Sequence, residues 1–146
     1  PLGANIFVRK SVFQKYGGYD EGLWARCGKA ALGCEDAEFA IRVRSRGERI
    51  GYCAESVVVH PVHAERATIF NHVRWAYRMG VRENIVFPEE TRKVSAAYLI
   101  RTAMGHFLRA ARMTATGDSA AAVCEVMSAA RCVGQMTGRS RRDWRT

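Results

Sequence analysis

Apolar residues recur along this chain in two rhythms, short continuous runs early and helical spacings throughout. Ala4-Asn5-Ile6-Phe7-Val8 is a compact apolar run that predicts a buried strand. Ser11 is placed to cap a helix with Val12, Phe13 and Tyr16 on its apolar side, stopped by Gly17-Gly18. A loop follows through Gly28 and Gly33, with Trp24 as its anchor. From about Asp36 to Arg46, Phe39, Ala40 and Val43 share a helical face, Glu38 and Arg42 form an i,i+4 pair, and Gly47 ends the segment. Arg49-Ile50-Gly51-Tyr52-Cys53 and Val57-Val58-Val59-His60 predict two further strands, the second broken by Pro61.

The remainder reads as helices. One runs from Glu65 to Met79 with Gly80 as its stop. A second starts at Val86-Phe87-Pro88-Glu89-Glu90 and continues to about Arg112. Its apolar stripe is Ile100, Ala103, Met104, Phe107 and Ala111, and its basic one Arg101, Arg109 and Arg112. Gly117-Asp118-Ser119 separates a last helix whose expected buried side is Val123, Val126, Ala130 and Val133. The tail from Arg139 to Arg145 is basic and reads as disordered.

Composition sharpens this picture in two ways. With 146 residues, 48% of them hydrophobic, the chain has enough apolar material for one folded domain. Its formal charge of +9 favours anionic partners, whether nucleotide diphosphates, acidic lipid surfaces or nucleic acid. Cys27, Cys34, Cys53, Cys124 and Cys132 form no C-x-x-C pair, which points to a reducing, cytoplasmic setting. Cys34, Cys53, His60 and His63 match no standard zinc spacing.

Three pieces carry the candidate chemistry. They are Gly17-Gly18-Tyr19-Asp20-Glu21, the Glu35-Asp36 pair at a helix start, and the Val57-to-His60 run. Together with Gly3-Ala4-Asn5, Arg9, Arg42 and Gly47, their order resembles the second half of a family 2 glycosyltransferase of the GT-A fold. The resemblance covers residues 1–85. It implies an α/β fold: the C-terminal, acceptor-side half of a GT-A domain with a mixed sheet, followed by a helical extension. The expected division is 1–64, catalytic half; 65–138, helical region; 139–146, basic tail. The chain opens on a family motif without Met and contains no D-x-D, so the expectation is a fragment lacking the nucleotide-binding half and inactive alone.

The resemblance also assigns roles. Inverting sugar transfer needs a base for the acceptor hydroxyl and positive charge for the departing diphosphate. It makes Asp36 the base and Glu35 its orienting neighbour, and it lines the donor site with Gly3 and Asn5. Asp20 fixes the loop or contacts the acceptor. His60 approaches a Mg²⁺ or Mn²⁺ ion whose main ligands come from the missing D-x-D. Asn71-His72-Val73-Arg74-Trp75 is similar to the Q-x-x-R-W motif of processive members, with Trp75 stacking on sugar and Arg74 or Arg78 pairing with phosphate. The implied partners are a nucleotide-sugar donor and a glycan or lipid-linked acceptor, with peripheral contact at the inner face of the cell membrane and no nucleic acid. Read without the family, Glu35 and Asp36 are first-turn acids favoured by the helix dipole, and His60 satisfies a strand end. The last two helices then pack on each other. The competing function is a non-catalytic basic module that binds an anionic membrane or nucleic acid.

Overall fold

In the computed structural model, residues 5–23 and 34–140 are described. Gly3, Trp24, Cys27, Gly28, Gly33 and the tail beyond Ser140 lie outside them. The chain divides into two compact units, Pro1–Pro61 and Val62–Thr146.

In the first unit, the described residues include the helices α1 (Lys10–Tyr16) and α2 (Glu35–Ser45). Gly17 takes φ +78° at the end of α1, a conformation that a residue with a Cβ adopts only under strain. Phe39 and Val43 are buried on α2. Phe39 stacks on Phe13 at 5.0 Å between ring centroids, and Tyr19 meets Phe39 edge-on at 5.3 Å. Arg42 ties this cluster to the turn before it. Its Nη1 donates to the carbonyl of Tyr16, its Nη2 to that of Gly18, each at 2.7 Å, and its Nε to Glu38 Oε1 at 2.7 Å.

The predicted mixed sheet is not there. Among the described residues no strand forms, and the α/β assignment is replaced by an all-helical one. Ile6 to Val8, Arg49 to Cys53 and Val57 to His60 are irregular. The physical reason is that a strand is stable only against a neighbour and a covered face. These runs have the β-branched composition but not the partner: Val57 is 81% exposed and Val59 92%. Side chains tie these segments instead: Asn5 Nδ2 donates to the Ser56 carbonyl at 2.7 Å while its Oδ1 accepts from Ser56 Oγ at 2.9 Å.

The second unit begins with a 3-10 turn (Ala64–Arg66), then α3 (Ile69–Val86), α4 (Pro88–Lys93), α5 (Ala96–Ala115) and α6 (Ser119–Ser140). Thr68 caps α3 by accepting from Asn71 N, and Ser95 caps α5 by accepting from Tyr98 N. That second cap splits the single long helix expected after Pro88 into α4 and α5. Asp118 accepts from Ala121 N at 3.1 Å at the head of α6.

Helix α6 packs against both α3 and α5. Its contact with α3 is made at backbone distance. A Cβ on Gly80 would fall on the carbonyl oxygen of Arg131 and within 2.8 Å of Gln135 N. A Cβ on Gly134 would fall on the carbonyl of Tyr77. Gly80 is therefore a packing residue inside α3 and not its stop, which is why the helix continues to Val86. Polar side chains rim the crossing: Glu83 holds Arg131 and Gln135, Asn84 Nδ2 donates to the Gln135 carbonyl at 3.1 Å, and Tyr77 Oη lies 3.0 Å from Thr137 Oγ1. On its other partner, α6 offers Cys132 and Met136 to Leu99 and Ala103 of α5. The buried side of α6 is Ala122, Ala129 and Cys132. The expected set of Val123, Val126, Ala130 and Val133 is only half-buried.

Candidate functional site

The acids at the start of α2 take first-turn positions. Glu35 is exposed; Asp36 is half-buried and its Oδ1 accepts from the Ala37 amide at 2.8 Å. Asp20 is half-buried and its charge reaches Arg42. Arg42 thus joins the Gly17-Gly18 turn to the helix that begins with Glu35-Asp36, and Asn5 is tied to Ser56. His60 is exposed. Gly3 lies outside the described residues. Among those residues, no group of three or more His, Cys, Asp or Glu converges as metal ligands would.

Arg74, Trp75 and Arg78 belong to the other unit, on α3. Arg74 and Trp75 are exposed and Arg78 is half-buried, while Ala76 and Gly80 of the same helix are buried. Trp75 is 53% exposed.

Helix α5 has the most distinctive surface. Its buried residues are Leu99, Ala103 and Ala110. Ile100, Met104, Phe107 and Leu108 are exposed, between 50% and 72%. The apolar stripe expected to pack, Ile100, Ala103, Met104, Phe107 and Ala111, is therefore corrected: only Ala103 of the five is buried. At 100° per residue, positions 100, 104, 107, 108 and 111 fall on one side of the helix, and Arg101 and Arg112 on one flank of that side. The helix contains no Asp or Glu. A warning lay in the sequence: Leu99, Ile100, Ala103, Met104, Phe107, Leu108, Ala110 and Ala111 are too many apolar positions for one helix face to bury.

Between α5 and α6, Glu125 Oε2 lies 2.6 Å from His106 Nδ1 and accepts from Arg109 Nε at 3.0 Å. The hydrogen bond with His106, aided by Arg109 and opposed by partial burial, holds the Glu125 carboxyl below its ordinary 4.5. A depressed folded-state value stabilises the fold above pH 4.5 and loses that contribution as pH falls through the lower, folded value. Glu125→Gln should accordingly flatten the acid side of the stability profile, comparing urea midpoints across that range. An acid limb as steep as that of the unsubstituted chain would rule this linkage out.

No family model matches the chain, and neither a curated protein nor a solved structure matches it. With no strand among the described residues where the family requires a sheet, the resemblance to family 2 glycosyltransferases and the GT-A fold is overturned. The roles of Asp36, Glu35, His60 and the donor-site residues rested on that family and are carried no further.

Proposed function

We propose that residues 62–146 form a basic helical module that binds anionic surfaces. The observation that carries this reading is the acid-free helix α5, with Arg101 and Arg112 exposed along it. The charge distribution agrees. Residues 62–146 hold fourteen Lys and Arg against seven Asp and Glu, whereas residues 1–61 hold nine against seven. Several of the basic side chains are engaged internally, among them Arg131 with Glu83, Arg109 with Glu125, Arg139 with the Thr91 carbonyl and Arg82 with Met79. Arg74, Lys93, Arg101 and Arg112 are exposed. Arginine suits the role because its planar, weakly hydrated head pairs bidentately with phosphate and sulfate oxygens.

Binding of the whole chain to dextran sulfate and to anionic vesicles, each titrated against salt, tests the reading. Affinity should fall steadily as salt rises, since surface charges are screened within about 10 Å at 0.1 M. Arg101→Gln with Arg112→Gln should weaken binding to both probes by about tenfold or more, at about 1 kcal/mol per arginine. Salt-independent binding, or affinity untouched by the double substitution, would refute it.

A further inference from the structure

Charge explains attraction to an anionic surface but not why α5 turns large apolar side chains outward. Ile100, Met104, Phe107 and Leu108 are each at least half exposed, and they form one stripe along about two and a half turns of helix. Isolated exposed apolar residues are ordinary; a contiguous stripe of this kind marks a surface that meets another apolar phase. We infer that α5 is an interfacial helix that lays this stripe into the acyl boundary of an anionic lipid bilayer, with Arg101 and Arg112 at the level of the lipid phosphates. The inference rests on the anionic-surface reading and names its partner.

Three observations select the bilayer. Arg101 and Arg112 lie eleven residues apart on the same flank, about 16 Å along the axis, so they reach two headgroups while the stripe beside them is submerged. Pairing of the same stripe with a second copy of this chain would press arginines against arginines with no acid on α5 to offset them. A nucleic-acid backbone satisfies the arginines and leaves the apolar stripe in water. The helix would lie on the membrane and not through it: among the described residues no helix is long and apolar enough to cross one. The buried face of Leu99, Ala103 and Ala110 stays on α6, so docking needs no unfolding.

The test uses the full chain in flotation with vesicles containing about one third anionic lipid, with pure phosphatidylcholine vesicles for comparison. Met104→Gln with Leu108→Gln, which add no charge, should lower partition into the anionic vesicles at least tenfold, leave dextran sulfate binding nearly unchanged, and leave the melting temperature in place because both sites are exposed. The emission that Phe107→Trp adds over the unsubstituted chain, which has three tryptophans of its own, should shift to the blue with anionic vesicles and not with dextran sulfate. Undiminished vesicle binding by the glutamine pair, or no blue shift, overturns insertion while the anionic-surface reading stands. Loss of dextran sulfate binding by the arginine pair is the separate check on that reading. A dimer in solution that the glutamine pair converts to monomer would assign the stripe to a second copy and overturn the bilayer.

Discussion

Gly134→Leu is expected to unfold the helices of residues 62–146, and Gly134→Ala alone to cost about 3 kcal/mol or more, the upper range for overpacking. The first atom of any side chain at Gly134 meets the Tyr77 carbonyl and lies 3.0 Å from Val81 N. Both are backbone atoms of α3, so no rotamer change relieves the clash. Either α3 and α6 separate, exposing Ala76 and Val81 and breaking the Glu83–Arg131 and Asn84–Gln135 ties, or the helix bends. For a unit of this size the alanine variant should melt about 12 °C or more lower. Gly105→Ala is the matched control. There the added carbon meets only Arg109 Nη1, at 3.4 Å at the end of a long side chain, and the better helix former should gain up to about 1 kcal/mol. Far-UV circular dichroism melts of the two variants should therefore move in opposite directions. A Gly134→Ala chain melting with the unsubstituted one would mean that α3 and α6 do not approach at backbone distance.

That crossing also shows what the sequence could and could not convey. Two helix starts were readable to within a residue or two, though not by the cap expected: α1 begins at Lys10 with Arg9 as its N-cap and Ser11 inside the helix, and α6 begins at Ser119 with Asp118 accepting from Ala121 N. Gly47 ends α2 at φ +90° as its position suggested. Gly80 has the same identity and a different job, because a glycine that stops a helix and one that lets another helix touch its backbone look alike in one dimension. The strands failed for a related reason. Val57-Val58-Val59 has the intrinsic preference, but a strand is a property of two segments, and among the described residues no second strand pairs with this run, which leaves Val59 92% exposed. The site assignments rested on the family that those strands implied, and with the sheet they lost that support. On α5 the periodicity was correct and the inference of burial was not, since the pattern shows that Ile100, Met104 and Phe107 share a face without showing what covers it.

Arg42→Lys should loosen the first unit almost as much as Arg42→Ala, although lysine keeps the charge. The guanidinium is used as a fork: Nη1 and Nη2 serve two different carbonyls, of Tyr16 and Gly18, while Nε serves Glu38. One ammonium on a flexible stem cannot occupy three sites set by a rigid plane. The plane also lies over the Phe39 ring at 5.3 Å, and Phe39 in turn stacks on Phe13. Removing the fork leaves Glu38 without its i,i+4 partner and two turn carbonyls without the donor that joins them to α2. Hydrogen bonds to a charged group contribute about 1.5–3 kcal/mol each, and discounting for half-exposure and non-additivity puts the expected loss at about 2–3 kcal/mol. Native-state hydrogen exchange would read it as about thirtyfold or greater deprotection of amides in α1 and α2. Amides of α6, whose packing partners lie in the other unit, should hold their protection. Full protection of α1 in Arg42→Lys would show that the Phe13, Tyr19 and Phe39 cluster holds the turn against α2 without the guanidinium.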